Sequence, residues 1–78
     1  MIRELDTAVL TEDLPAFGLH RGDLGAVVHS YQGGASYEVE FVDSEGKTIA
    51  LTTLSAGQIR PRHAGEILCV REYSPTGP

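Results

Sequence analysis

The sequence predicts an all-β domain, and two observations support this. In residues 37–41, three large apolar side chains alternate with Glu38 and Glu40, which is the period of a strand with one buried face. The chain has 78 residues, of which 41% are hydrophobic, so it is too apolar for a disordered segment and long enough for one small domain. We expect this domain to span residues 1–73 and a flexible tail to span residues 74–78.

The first half of the chain is expected to form two strands joined by a long loop. Residues 5–10 predict the first strand, and residues 24–31 predict the second. Pro15 favours an extended conformation in the residue before it, so the intervening segment is interpreted as a loop rather than a helix. Gly25 indicates a bulge or a close approach between backbones. The loop is expected to cover one end of the core through its apolar side chains, which are Leu14, Phe17 and Leu19.

Two turns separate the next strands. The paired glycines in residues 32–35 are typical of a hairpin tip, which is followed by the strand centred on residues 37–41. Residues 43–46 match a type I turn that ends in glycine. Residues 47–53 predict a fourth strand, with Ile49 and Leu51 on its core face.

The last third of the chain predicts one short strand and one ambiguous segment. Residues 54–58 favour a single 3-10 turn, and the fifth strand follows in residues 59–62, where proline confines it to an edge or an end. Residues 66–73 could form a sixth strand or a short helix, and their β-branched and aromatic side chains favour the strand. Five short antiparallel strands with a 3-10 turn before the last predict a small SH3-like barrel, whose closure hides most strand edges.

The charge distribution bears on the class of partner. The formal net charge is −5, with a balance of −7 over residues 1–45 and +2 over residues 46–78. An acidic body repels phosphate backbones, so nucleic-acid binding is disfavoured. The basic cluster, which spans residues 60–63 and includes Arg60 and Arg62, is the one segment suited to contact phosphate. The chain has no apolar run long enough to span a membrane, and its polar start lacks the features of a signal peptide, so a cytoplasmic location is expected.

The sequence offers no pattern typical of catalysis or metal binding. The histidines at positions 20, 29 and 63 lack the local spacing of a metal motif. Cys69 is the single cysteine, so it cannot form an intrachain disulfide or a cysteine-based zinc site, and we expect it to be a small buried apolar residue. Ser55 is not part of a nucleophile-elbow motif. We expect no enzymatic activity, no cofactor and no metal site.

A set of short segments carries a family resemblance. These are residues 5–7, 14–15, 18–19, 21–28, 37–41 and 53–55. Together they resemble a small bacterial family, the domain of unknown function family 4926, over residues 3–62. The resemblance implies an SH3-like barrel without an established activity. Some members of that family look like neighbours of toxin-like genes, which implies an antitoxin or immunity role beside a protein partner encoded by a neighbouring gene.

Two more distant likenesses concern the same barrel. Residues 14–15, 21–22, 25, 27–28 and 37–41 are similar to the SH3-like domain of the nitrile hydratase β subunit, which implies a barrel that docks on another protein. The cysteine-rich metal motif of that enzyme is absent here, so no hydratase activity is implied. Residues 22–27 are similar to KOW-type barrels, which are usually basic and bind RNA, and the acidic balance of this chain departs from them.

These observations favour a non-catalytic protein-binding module, acting as an antitoxin, an immunity protein or an accessory subunit. The alternative is a KOW-like RNA- or ribosome-associated module that uses Lys47 and the basic cluster. Residues 66–73 either cover the open edge of the barrel or pair with a second copy in a homodimer. The candidate partner-binding residues are two aromatics near the barrel rims, two solvent-facing acids suited to a basic partner, and two basic residues: Phe17, Tyr31, Glu38, Glu40, Arg60 and Arg62.

Overall fold

The computed structural model describes residues 2–74, which form five antiparallel strands in one open sheet and two 3-10 turns. The strands are β1 (Thr7–Leu10), β2 (Leu24–Tyr31), β3 (Ser36–Val42), β4 (Thr48–Ser55) and β5 (Ile59–Pro61), and the turns are η1 (Pro15–Phe17) and η2 (Ala56–Gln58). The all-β prediction, the five strands and the 3-10 turn before the last strand are confirmed. The other 3-10 turn, η1, lies in the loop after β1, and the sequence did not predict it. Most of the expected tail, residues 75–78, lies outside the described residues.

The sheet has the strand order β4-β3-β2-β1-β5, so β4 and β5 lie at its two ends. Only the three residues of η2 separate these two end strands along the chain. The four residue steps from Ser55 to Ile59 span at most about 14 Å, so the two ends of the sheet must lie close to each other and the sheet curls into a barrel-like shape. The SH3-like assignment itself stays a prediction.

The core lies on the concave face of the sheet. The side chains of β3 alternate as expected, with Tyr37, Val39 and Phe41 all buried. Leu19 of the first loop is also buried, whereas Phe17 is partly exposed. The remaining buried members of this cluster come mainly from the other strands: Ile2, Ala8, Leu10, Val27, Ala50, Leu54 and Ile59.

The predicted core face of β4 is confirmed for Ile49 and wrong for Leu51. Ile49 is partly buried and packs against the core, whereas Leu51 is 53% exposed. The cause is a register shift in the pairing with β3, where Phe41 lies opposite Ala50 and Val42 lies opposite Thr48. This bulge leaves Ile49 as an extra residue, and an insertion of one residue moves the following side chains to the opposite face.

Residues 66–73 form neither the sixth strand nor the helix that the sequence allowed. They follow an irregular path that we call the strap, and side chains rather than a strand ladder attach it to the domain. The expected burial of Cys69 is also wrong, because this part of the strap is exposed. Over the described part of the chain, no helix has the length and hydropathy needed to cross a membrane.

Candidate functional site

The convex side of β2, β3 and β4 carries a mixed acidic and apolar surface, which we call the outer face. Glu38 lies between His29 of β2 and Thr53 of β4, because all three occupy paired positions in the sheet. Two residues further along β3, Glu40 lies between Ala26 of β2 and Leu51 of β4. The side chains of the outer face considered below are Val28, His29, Tyr31, Glu38, Glu40, Val42, Thr48, Leu51 and Thr53.

The Glu38 carboxylate is fixed by two hydroxyl groups. The Tyr31 hydroxyl donates to Oε1 of Glu38 at 3.2 Å, and the Thr53 hydroxyl donates to the same oxygen at 2.8 Å. The hydrogen bond to this carboxylate raises the pKa of the Tyr31 phenol, because ionising the phenol would place a second negative charge beside the first. Tyr31 therefore remains a hydrogen-bond donor at neutral pH and orients the acid.

Glu40 is fixed in a similar way but by a single donor. The Thr48 hydroxyl of β4 donates to Oε2 of Glu40 at 2.6 Å. Within residues 2–74, no lysine, arginine or histidine lies within ion-pair distance of Glu38 or Glu40. Hydroxyl groups therefore orient both carboxylates, and in the described part of the chain neither carboxylate has an ion-pair partner.

Apolar side chains surround these two carboxylates on the outer face. Val28, Val42 and Leu51 are all exposed, although each belongs to a strand. The ring of His29 packs edge-on against Tyr31, with 4.5 Å between the ring centroids and an interplanar angle of 71°. An exposed apolar patch that also carries polar groups is typical of an interaction surface.

The structure brings together only part of the predicted site. Tyr31, Glu38 and Glu40 share the outer face, as the register shows. Phe17 lies instead in η1, where its backbone carbonyl accepts a hydrogen bond from the strap. Arg60 belongs to β5 at the other end of the strand order, and Arg62 is exposed just beyond that strand.

Arg60 is occupied by an internal partner. Its Nη1 donates to Oε1 of Glu66 at 3.1 Å, and its Nη2 donates to Oε2 at 2.6 Å. This hydrogen bond lowers the pKa of Glu66 to about 2, with a further contribution from the backbone N–H of His63. The same contact raises the pKa of Arg60. Two parallel hydrogen bonds of this kind are the strongest form of arginine–carboxylate pairing.

Sequence reasoning missed six members of the outer face, which are Val28, His29, Val42, Thr48, Leu51 and Thr53. A usable signal existed for His29, because a hairpin tip at residues 32–35 places Tyr31 opposite Ser36 and hence His29 opposite Glu38. Leu51 and Thr53 could not be assigned to this face, because the bulge in β4 has no clear sequence signature.

The arrangement of the outer face is suited to binding rather than to covalent chemistry. Two neighbouring outward carboxylates can accept hydrogen bonds from arginine or lysine side chains of another molecule. Among residues 2–74, no group of three or more His, Cys, Asp or Glu side chains is placed to bind a metal ion. A separate open cleft of about 790 Å³ lies between the strap and the core, with Val9, Phe41 and Ile49 in its wall.

A comparison with protein-family models found a match to this chain. The model of a domain of unknown function, DUF4926, matches residues 4–61. This match ends at the last residue of β5, so it includes all five strands and the outer face and leaves the strap outside. No curated protein and no solved structure matches the chain.

Proposed function

The chain belongs to the DUF4926 family, and we propose that it is a non-catalytic module that binds a dedicated basic protein through its outer face. One observation carries this proposal: Glu38 and Glu40 lie side by side on β3, oriented by hydroxyl groups and, among residues 2–74, without an ion-pair partner. A carboxylate left without such a partner is available to another protein.

The fixed positions of the two carboxylates lower the entropic cost of binding a partner. The hydroxyl groups of Tyr31, Thr48 and Thr53 already fix the two carboxylates, so less side-chain freedom is lost when a partner binds. Arginine suits such an acceptor because its guanidinium can donate two parallel hydrogen bonds to one carboxylate. The exposed side chains of Val28 and Leu51 add apolar area on either side of the charges.

The charge of the whole chain suits the same partner. A net charge of −5 on 78 residues attracts a basic protein over a distance and accelerates encounter. Proteins that act on nucleic acids present basic surfaces, so a nucleic-acid-directed toxin fits the proposal, with this chain as its cytoplasmic antitoxin or immunity protein. An accessory subunit of a basic enzyme fits the same chemistry.

The KOW-like alternative gains no support from the geometry of the basic cluster. RNA binding would depend on Lys47, Arg60 and Arg62, and the guanidinium of Arg60 is already bound by Glu66.

The test is the capture of the tagged chain from nuclease-treated extracts of its native host, with quantification of the retained proteins by mass spectrometry. We expect one basic protein in near-equal molar amount, retained after nuclease treatment. The absence of any near-stoichiometric protein would overturn the proposal. Recovery of ribosomal proteins that disappear after nuclease treatment would overturn it in favour of the RNA-associated alternative.

A further inference from the structure

The strap is attached to the domain at two points by paired hydrogen bonds. At its start, Glu66 accepts the two hydrogen bonds from Arg60 described above. Near its end, Arg71 donates from Nε to Oδ1 of Asp23 at 2.9 Å and from Nη2 to Oδ2 at 2.5 Å. Tyr73 adds a hydrogen bond from its hydroxyl to the carbonyl of Phe17 at 2.8 Å. The segment between these attachments is therefore held in place at both ends.

The four residues between the attachments present apolar side chains and free backbone to solvent. Ile67 is 86% exposed, Leu68 is 55% exposed and Val70 is 99% exposed. The backbone groups of residues 67–70 form no hydrogen bond with any other part of residues 2–74. Backbone groups without an internal partner, like those of a sheet edge, can pair with another strand.

The sequence of this segment is complementary to itself when two copies run antiparallel. If Glu66 lies opposite Arg71 of the second copy, then Ile67 lies opposite Val70 and Leu68 lies opposite Cys69. Each end of the ladder then carries one pair of opposite charges, and its centre is apolar. Cross-strand pairs of opposite charge are favourable, and like charges directly opposite are unfavourable.

The neighbouring registers lack this complementarity. A shift by one residue in one direction places Glu66 opposite Glu72 of the second copy, so two acids face each other at each end. A shift in the other direction places Glu66 opposite Val70 and leaves Arg71 opposite Gly65, so neither charge has a partner. Charge therefore selects a single register.

We propose that two copies of this chain associate through antiparallel pairing of residues 66–71, with Glu66 of each copy opposite Arg71 of the other. Both charges already have internal partners, so the contact between copies would add to these ion pairs rather than replace them. Oε2 of Glu66 accepts one hydrogen bond, from Arg60, and Nη1 of Arg71 makes only a 3.5 Å contact with the carbonyl of Glu72, so one acceptor position and one donor remain for the pairing. The inference is independent of the proposed function, because the strap and the outer face are built from different residues.

The pairing area is small, since it involves six residues from each copy. Stable interfaces bury at least about 1,000 Å² in total, so we expect a weak dimer that forms as the concentration rises. Sedimentation from about 10 µM to about 1 mM should show the mean mass increasing from that of the monomer towards that of the dimer. A constant monomer mass over this range would overturn the proposal.

Oxidative cross-linking tests the register. Directly opposite residues of antiparallel strands have Cα atoms about 4.5–5.5 Å apart, which is within the range of a disulfide. Leu68→Cys places a thiol opposite Cys69 of the second copy in the proposed register. The matched controls are the unmodified chain, in which Cys69 faces Cys69 only in the first shifted register, and Ile67→Cys, which faces Cys69 only in the second.

We expect Leu68→Cys to form disulfide-linked dimers at least about tenfold faster than either control. Faster cross-linking of the unmodified chain or of Ile67→Cys would overturn the proposed register. Leu68→Cys and Ile67→Cys each carry two thiols, so random collision would give these two variants equal rates, and that result would overturn the pairing. All three positions lie on the exposed strap, so the substitutions leave the folded domain intact.

Discussion

Gly25 of β2 packs directly against Val39 of β3, so closely that a β-carbon added to Gly25 would lie 2.6 Å from Cγ1 of Val39. The same added atom would lie 2.8 Å from Cε1 of Phe41. Val39 and Phe41 alternate along β3 with Glu38 and Glu40. The close approach of β2 therefore fixes the strand that carries both acids of the outer face.

Substitution of Gly25 should destabilise the domain. We expect Gly25→Ala to lower the free energy of unfolding by about 1–3 kcal/mol, because the buried Val39 and Phe41 side chains must move. Urea denaturation measures this change. Gly57→Ala is the matched control, since its β-carbon would meet no atom within 4 Å. Equal stability of both variants would contradict the close packing.

The face assignment of β4 can be tested with two leucines. We expect Leu54→Ala to lower the free energy of unfolding by about 2–5 kcal/mol, because Leu54 is buried in the core. Leu51→Ala should change it by less than about 0.5 kcal/mol, because Leu51 lies on the outer face. Thermal unfolding of the two variants compares them directly. A larger loss of unfolding free energy for Leu51→Ala than for Leu54→Ala would contradict the observed face and indicate that Leu51 lies in the core.

The attachment at Glu66 should depend on pH. The hydrogen bonds from Arg60 and from the His63 backbone lower the pKa of Glu66 from 4.5 to about 2. Because this pKa is lower in the folded chain, the contact stabilises the strap fully above pH 4.5 and is lost as the pH falls through about 2. Titration of the Glu66 side-chain carboxyl by NMR should give that low midpoint, and Arg60→Gln should raise it. A midpoint near 4.5 in the unmodified chain would refute the contact.

The attachment at Arg71 should limit the motion of the strap. Burial raises the pKa of Asp23, but the hydrogen bonds from Arg71 and from the His20 backbone outweigh this effect and lower it overall. We expect Arg71→Gln to release residues 67–73, with a fall in their heteronuclear NOE values and a rise in the pKa of Asp23. Arg62→Gln is the control and should leave both measurements unchanged. An unaltered strap in Arg71→Gln would show that other contacts fix it.

The strands were predictable because each has a local signal. The alternation in β3, the glycines of the hairpin tip and the proline in β5 indicated the boundaries within one or two residues. The face of β4 was not predictable, because it depends on one extra residue at Ile49. Bulges are set by how two strands pack and not by the sequence of either strand.

The site was predictable only where its residues share one strand or one hairpin. Glu38 and Glu40 followed from alternation, and Tyr31 followed from its place before the turn. The strap was not predictable, because Arg71 meets Asp23 across 48 positions of the chain. A contact between single side chains that are so distant in sequence leaves no periodic pattern. β preference alone therefore favoured a strand in the segment that contains Ile67 and Val70.

Removal of the two outer-face charges tests whether the outer face binds the basic partner. Glu38→Gln combined with Glu40→Gln keeps an acceptor oxygen for the neighbouring hydroxyl groups while it removes both charges. Glu45→Gln combined with Glu72→Gln is the matched control, since it changes the net charge equally and neither carboxylate accepts a hydrogen bond within residues 2–74. Both proteins are compared with the unmodified chain in quantitative capture from nuclease-treated extracts of the native host.

We expect the double variant at positions 38 and 40 to lose the near-stoichiometric basic protein and the control at positions 45 and 72 to retain it. Equal retention by both variants would contradict a role for the outer face in binding.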